Sequence, residues 1–514
     1  MARIAQRRSL FGKGIRRICA VAAASTAAEM AQLVRAGLRE TPTIELRLDW
    51  LRNDTERSRF LRWVKRNKPR SAILLATCRR REGGGKLRGG VPSELYWLNE
   101  ARRAGCSWCD LEIETLRKLP RAKTLSALGL PPQILLSLHD FRRMPSHLKP
   151  THSAVHAEPD AQKIAAHAQT FGDSLRLLRF AGRSRNLVAV PMGEVGLPAR
   201  ILALREGSAL AYAPIGEATA PGQVSLYALK HLYRAHELTQ RTRVYGVIGD
   251  PVGHSLSPLL HNTGFVARKI DAVYLPFLVK DLRDFLRAVP EFGIRGFSVT
   301  IPHKQTILKY LQECEPLAAE IGAVNTVVVR RDGSLAGSNT DYLGILRALE
   351  KKLVLRGSRV LIFGAGGVAR AAAFAFAKAG ADVEICARRE KAAKELARAV
   401  GGEAVPLRAL KSETFDAILN ATPIGMQPHD RISPLSPREL NCRIVMDLIN
   451  RPHMTQLLKL AARKGIATIS GVEMFIPQGV AQWELWTGQR APESAMRKAV
   501  LQALRTEENS RQHR

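Results

Sequence analysis

The chain is short of acid. Across 514 residues it carries 46 Asp+Glu against 79 Lys+Arg, a formal net charge of +33, and its first 28 residues contain no acidic side chain. Such a surplus fits a nucleic-acid partner, anionic small ligands or a basic solvated surface. The basic residues spread along the whole length, and no finger, RNP or basic-zipper pattern accompanies them, so nucleic acid is not expected as a partner. No run of about 18 apolar residues is present to cross a bilayer, so no membrane partner is expected either. Cysteine is scarce and odd in number. Seven thiols in a long chain argue against a disulfide framework and fit a reducing compartment. The acid-free, Arg-rich start has the composition of a transit peptide, but RRICAVAAA within it also reads as a first strand, and the expected localisation is cytoplasmic. Cys106 and Cys109 form a lone CxxC inside the apolar segment CSWCDLEIE. Without a second pair it reads as strand packing rather than as zinc or redox chemistry, and no metal is expected.

What is present divides into two halves with different periods. Between residues 17 and 215 lie eight short apolar runs: RICAVAA, TIELRLDW, SAILLATC, SWCDLEI, QILLSLHD, QKIAAHA, NLVAVPM and SALAYAPI. Helix-like stretches such as STAAEMAQLVRAGL and ELYWLNEARRAG separate most of them, and strand–helix repeated eight times is the count of an α/β (β/α)₈ barrel. One interval, RRMPSHLKPTHSAVHAEPDA, is Pro-rich and poorly helical. VSLYALKHLYRAHELTQ then reads as a closing helix, and RTRVYGVIGDP starts a new strand, so the expected boundary is near 240. Further on, VLIFGAGGVARAAAFAFAKAGADVEICARR reads as strand, Gly-rich turn, helix and strand, the βαβ unit of a Rossmann dinucleotide-binding domain. The expected domains are 1–240 for the barrel, 241–345 with C-terminal helices 473–505 for a substrate lobe, and 346–472 for the nucleotide lobe.

In a barrel the reactive groups sit where strands end. Glu45 and Arg47 alternate with apolar neighbours in TIELRLDWL, Arg79 and Glu82 follow the third run in TCRRREGG, His139 ends the fifth, and Lys163 starts the apolar part of the sixth. Taken singly, each also reads as a buried ion pair or a structural histidine. A lysine facing an apolar barrel interior is harder to dismiss, because desolvation favours the neutral amine, a nucleophile toward carbonyls. Together with SLHDF, DAQKIA, GLPARIL and TAPGQ, these residues resemble type I 3-dehydroquinate dehydratase over residues 17–235. The resemblance implies that Lys163 forms an imine with the ketone of 3-dehydroquinate, and that His139 removes the acidified proton and later protonates the departing hydroxyl. It also implies that Glu82 orients the imidazole. Arg200 would pair with the substrate carboxylate, Glu45, Arg47, Thr219 and Gln223 would hold the ring hydroxyls, and Arg79 would also bind the substrate. TCRRREGG is one residue shorter between Arg and Glu than the family pattern, Ala199 stands at a frequent Ser position, and Thr219 replaces a Ser.

In the second half, Gly364-Ala365-Gly366-Gly367-Val368-Ala369 fits GxGxxA, which lets a backbone approach a pyrophosphate at a helix N-terminus. Where an NAD enzyme ends its second strand with an acid, this chain runs ICARRE. Arg388 and Arg389 can grip a 2′-phosphate, which favours NADP. They also read as two surface arginines, and Glu384 is a rival acid that faces the strand interior. Lys304, in GFSVTIPHK, is on that stretch alone either a catalytic lysine or one more surface cation. With GDPVGHSLSP, IGAVNT, GSNTDYLG, NATPIGM and GVEMFIPQ in one order, the stretch resembles shikimate dehydrogenase over residues 243–500. The resemblance implies Ser255 and Ser257 on the substrate carboxylate, Thr300, Asn325 and Gln478 on its hydroxyls, and Lys304 with Asp341 as the acid/base pair at the carbonyl being reduced. Ser298, Asn450 and Glu473 stand where the family has Asn, Tyr and Gly. The two resemblances compose into one bifunctional enzyme acting on 3-dehydroquinate, 3-dehydroshikimate and shikimate. The rivals are a quinate-using dehydrogenase and a regulator built on retired domains. Oligomeric state is not fixed by the sequence.

Overall fold

Every one of the eight apolar runs becomes a strand. In the computed structural model, which describes residues 10–119, 128–148, 159–216 and 222–512, they are β1 (Ile18–Ala22), β2 (Thr43–Arg47), β3 (Ile73–Thr77), β4 (Trp108–Glu112), β5 (Gln133–Asp140), β6 (Ala161–His167), β7 (Leu187–Met192) and β8 (Ala211–Pro214). Consecutive strands pair in parallel from β1 to β7, and β8 pairs in parallel with β1. No ladder joins β7 to β8 among the described residues. Their seam is closed by Ala209 N–H donating to Leu187 O at 2.7 Å. The Ser208 hydroxyl also bridges it, accepting from Ala189 N–H at 3.0 Å and donating to Leu210 O at 2.8 Å.

Strand side chains alternate in direction, so one residue in two faces the barrel interior. Cys19, Leu75, Trp108, Leu135, Ala161 and Val188 pack into one cluster with Phe11, whose ring lies 4.3 Å from that of Trp108. This cluster is the apolar floor. Two and four residues further along, β4 therefore presents Asp110 and Glu112, β5 Ser137 and His139, and β6 Lys163, all above that floor toward the C-terminal mouth. The intervening helices include Ala27–Glu40 and Phe171–Arg183, which start with capping boxes of Thr26 with Glu29 and Thr170 with Asp173. Between β5 and β6 no helix occurs among the described residues, in keeping with the Pro-rich interval. The expected closing helix after β8 is reduced to a π-helical turn, Ala228–Leu232. Arg234 takes φ +50°, a left-handed value through which a right-handed helix cannot continue.

The chain forms two units, one of residues up to Thr242 together with Arg283–Phe292, the other of Arg243–Leu282 and Gly293–Arg514. The second contains two six-stranded sheets. The first sheet has the order β10-β9-β11-β13-β14-β12, from β9 (Arg243–Gly249), β10 (Ala272–Leu278), β11 (Ile294–Val299), β12 (Glu313–Cys314), β13 (Thr326–Val329) and β14 (Leu335–Ser338). The second is wholly parallel with the order β17-β16-β15-β18-β19-β20, from β15 (Arg359–Phe363), β16 (Asp382–Cys386), β17 (Glu403–Ala404), β18 (Phe415–Asn420), β19 (Cys442–Asp447) and β20 (Ala467–Ile469). That order, with the first strand central and the chain doubling back, is the doubly wound dinucleotide fold. Helix Gly367–Lys378 reads GVARAAAFAFAK. Its Ala369, Ala372, Ala373 and Phe376 pack on Val360, Ile362, Val383 and Ile385, so small side chains bring the helix close to the sheet.

Candidate active sites

Lys163 is buried in the barrel and donates to Asp110 Oδ2, with the Tyr212 ring centroid 4.7 Å from its Nζ. Asp110 is itself fully buried, accepts from Ser137 Oγ on its other oxygen and lies 3.2 Å from Arg79 Nη2. Burial alone would raise the Asp110 carboxyl, but the Lys163 ammonium and then the Arg79 guanidinium outweigh it and hold it well below the usual carboxylate range. His139 experiences the reverse. Burial first, then the Arg79 and Lys163 cations, push the imidazole well below its ordinary value and keep it a neutral base. Glu45 accepts from Thr77 Oγ1 at 2.7 Å, and Arg47 is held by Asp49 at 2.8 Å. Arg200 has one hydrogen-bond partner among the described residues, Gly222 O at 3.1 Å, and no ion pair; desolvation lowers its guanidinium to about 10. A cation left in that state is ready for an anionic ligand. Gln223 is half-buried beside Gly222, and Thr219 lies outside the described residues.

The expectation for Glu82 is corrected. Its side chain is 70% exposed and pairs with Arg80 at 2.6 Å and Lys118 at 2.9 Å, away from His139. Arg80 is buried and anchored by Glu94 at 2.8 Å and Thr115 at 2.9 Å, so it draws its near neighbour outward. The carboxylate beside His139 Nδ1 is Glu112, at 3.4 Å. Sequence reasoning passed over Asp110 and Glu112. The usable signal was their alternation in WCDLE, the same period of two that marks Glu45 and Arg47.

In the second unit Lys304 Nζ donates to Asp341 Oδ2 at 2.5 Å, and the Asn325 amide donates to Asp341 Oδ1 at 2.7 Å. Asp341 opens helix Asp341–Leu349, where the helix dipole favours a negative charge. Asn325 is fixed in turn by Thr340 N–H at 2.7 Å and Gln478 Oε1 at 3.3 Å. A second chain of polar groups runs through Gln482, which sequence reasoning missed. It donates to Asn325 O and Thr326 Oγ1 and accepts from Ser298 Oγ at 2.9 Å; Ser298 meets the Tyr274 hydroxyl at 2.6 Å, and that hydroxyl also bonds Ser257. Ser257 N–H donates to Ser255 Oγ at 3.2 Å. Thr300 directly follows β11, with its methyl 2.4 Å from where a Cβ on Gly249 would lie, so a side chain at Gly249 would collide with it. Glu473 is held by Arg497 at 2.7 Å, and the Asn450 Oδ1 is buried with no hydrogen-bond partner among the described residues.

The nucleotide turn suits a pyrophosphate. Gly364 has φ +128° and passes within 3.0 Å of Ala421 O at its Cβ position, a conformation and an approach that only glycine meets without strain. Gly366 N-caps helix Gly367–Lys378 with no side-chain cap, which leaves the first-turn N–H groups free, and a Cβ on Gly366 would point into open space. A Cβ on Gly367 would lie 3.6 Å from Lys304 Cδ, so the turn abuts the Lys304–Asp341 pair. Arg388 and Arg389 are exposed after β16 and make no ion pair among the described residues, while Glu384 is tied to Arg359. These features fit NADP.

Residues 18–240 match the family described as type I 3-dehydroquinase, residues 247–327 the shikimate dehydrogenase substrate binding domain, and residues 471–501 the shikimate 5′-dehydrogenase C-terminal domain. A protein of Arabidopsis thaliana named bifunctional 3-dehydroquinate dehydratase/shikimate dehydrogenase, chloroplastic, is 33% identical over 478 residues, covering 87% of this chain and 78% of its own. A shikimate dehydrogenase (NADP(+)) of Methanosarcina acetivorans is 42% identical over 276 residues, covering 51% of this chain and 99% of its own. The solved structure of shikimate 5-dehydrogenase from Thermus thermophilus with NADP(H) and shikimate is 35% identical, covering 51% of this chain and 99% of that one with a TM-score of 0.47. Matched in both halves, and along most of its length by a single relative, the chain belongs to the family of bifunctional 3-dehydroquinate dehydratase/shikimate dehydrogenases.

Proposed function

We propose that the chain catalyses two consecutive reactions, dehydration of 3-dehydroquinate to 3-dehydroshikimate in the barrel and reduction of that product to shikimate in the second unit. The observation that carries this reading is that each unit holds a lysine–aspartate pair, Lys163 with Asp110 and Lys304 with Asp341, among residues that its family match leads one to expect. In the barrel, Lys163 Nζ adds to the substrate ketone and water leaves, giving an imine that acidifies the adjacent C–H. Neutral His139 takes that proton and returns one to the hydroxyl as it departs. Hydrolysis of the imine frees Lys163 and the enone product. Arg200 pairs with the carboxylate, and Glu45, Arg47, Arg79, Thr219 and Gln223 surround the ring hydroxyls.

In the second unit Ser255 and Ser257 take the carboxylate, and Thr300, Asn325 and Gln478 the hydroxyls. NADPH, when bound, supplies the hydride to the carbonyl. Lys304 gives its proton to the oxygen that receives negative charge, and Asp341 holds the ammonium in place and accepts the proton in the reverse direction. The Gly364–Ala369 turn would hold the pyrophosphate, and Arg388 and Arg389 the 2′-phosphate. The expected compartment is a reducing cytoplasm, supported by seven cysteines that are all free and by the absence, among the described residues, of a helix long and apolar enough to cross a membrane. The test is a coupled assay. Given 3-dehydroquinate and NADPH together, the protein should oxidise NADPH only after the dehydration product forms; no NADPH oxidation with either 3-dehydroquinate or 3-dehydroshikimate would refute the reading.

A further inference from the structure

We propose that Arg451 is a positioning residue for the dehydrogenase reaction, holding in place the turn that presents Ser255 and Ser257 to the substrate's carboxylate. This rests on the dehydrogenase reading of the second unit and deepens it. The turn runs Asp250-Pro251-Val252-Gly253-His254-Ser255-Leu256, between β9 and the helix that Ser257 opens, Ser257–Ala267. Val252, Leu256 and Ser257 are buried, whereas Gly253 and His254 are exposed at the tip. Around Ser255 the turn supplies its own bonds: the Ser255 N–H donates to Val252 O at 3.1 Å, and the Ser255 Oγ accepts from Ser257 N–H at 3.2 Å. At the tip the support comes from elsewhere in the chain. Among the described residues, the one hydrogen bond made by Gly253 or His254 is that accepted by His254 O from Arg451 Nη1, 197 residues away in sequence.

Arg451 lies in the turn that follows β19, and its guanidinium has a second anchor. Its Nη2 donates to Glu507 Oε1 at 2.6 Å, from helix Glu493–Gln512. A guanidinium is a planar, rigid fork, so holding it at one nitrogen fixes what it holds at the other. The neighbouring side chains of its own turn give no such support: Asn450 Oδ1 and His453 Nδ1 are buried with no hydrogen-bond partner among the described residues. The consequence for binding is geometric. Hydroxyl donors reach a carboxylate at about 2.5–2.7 Å, so both serines must be presented together and in alignment. Without Arg451 the tip would be an exposed loop bonded at Asp250 and Ser255 alone. Ordering it on binding would then weaken affinity for the substrate, while the hydride and proton steps at Lys304 would be untouched.

The test uses the full-length chain and follows NADPH oxidation with 3-dehydroshikimate in the wild type, R451A, R451K, S255A and S255A/R451A. A hydrogen bond from a charged donor is worth a factor of roughly 10 to 100, and R451A should raise KM for 3-dehydroshikimate by about that much. Its kcat and its KM for NADPH should stay close to those of the wild type, a split that a general loosening of the unit would not give. R451K keeps one donor for the His254 carbonyl and should fall between wild type and R451A, and it carries the same reading if R451A does not fold. Because Arg451 acts through the serine turn, adding R451A to S255A should raise KM much less than R451A does alone. An unchanged KM in the Arg451 variants, a joint shift of kcat and both KM values, or the same rise in the S255A background would overturn the proposal. A wild type that does not oxidise NADPH with 3-dehydroshikimate would instead refute the dehydrogenase reading beneath it.

Discussion

Lys163 with Asp110 and Lys304 with Asp341 are the same two side chains in unlike settings. Asp110 is shared: Lys163, Arg79 and the Ser137 hydroxyl all face its two oxygens, and none of its side chain meets solvent. Asp341 has one cation, Lys304, whose side chain is 13% exposed, and a neutral amide from Asn325 on its other oxygen. When Lys163 leaves its partner to bond with a ketone, Asp110 keeps Arg79 and Ser137. Were Lys304 to give up its proton, the side chain left beside Asp341 among the described residues would be the neutral amide of Asn325. On the roles proposed above, the lysine that would add to the ketone is docked against a carboxylate with further partners, and the lysine that would donate a proton against one with a neutral amide beside it.

The comparison breaks most visibly if the lysines are exchanged for alanine. K163A should abolish dehydration, by more than about 10³-fold, and leave reduction of 3-dehydroshikimate near its original rate; K304A should do the converse. Accumulation of enone without NADPH oxidation in K304A is the readout. Removing the aspartates should separate the settings further. D110N leaves the buried Lys163 ammonium without its carboxylate, while Arg79 keeps Glu112, and should destabilise the first unit by about 3–5 kcal/mol in urea melts, whereas D341N should fold normally and lose roughly 100-fold in kcat for reduction. Near-equal stabilities of the two variants would show that Asp110 is not the shared counter-ion described.

A smaller effect belongs to the cofactor. R388A/R389A should raise KM for NADPH by roughly 10- to 100-fold, since a charge-assisted hydrogen bond is worth about 1.5–3 kcal/mol, and leave KM for NADH little changed. The smallest effect is on stability. An unfolded glutamate titrates near 4.3, while burial raises folded Glu112 to about 7. Between those values the native state holds the extra proton, so its stability falls as pH rises across the window and stays reduced above it. E112Q should remove this penalty, raising stability at pH 8 by on the order of 1–3 kcal/mol and matching the wild type at pH 4.

The strands were legible because each is a short apolar run between breakers, and parallel strands buried on both faces leave just that trace. Lys163, His139, Lys304 and Asp341 were legible because their motifs are local. Asp110 and Glu112 were not. Polar residues alternating in a strand usually mark a solvent face, and only closure of the sheet turns that face inward. Glu82 misled because EGG is contiguous in sequence, whereas the direction of its side chain is decided by Arg80 and Lys118. Gln482 lies one turn after Gln478 in an apolar helix, and its partners come from strands more than 150 residues earlier. The closing helix after β8 was overpredicted because periodicity carries no sign of the left-handed backbone at Arg234.

The seam at Ser208 gives the barrel a preferred line of opening. Among the described residues, seven of its eight strand junctions are laced by backbone ladders, and the eighth hangs on one backbone bond and one hydroxyl. Local unfolding follows the cheapest route, so amides of Ala189 and Ala209 should exchange with deuterium sooner than those of β4 or β5. Opening there would leave β8 an edge strand, still laddered to β1, and β8 precedes Gly222, whose carbonyl accepts from Arg200. The wall of the barrel is in this sense a clasped band rather than a closed ring, and its clasp lies on the chain segment that leads to the arginine expected to hold the substrate's carboxylate.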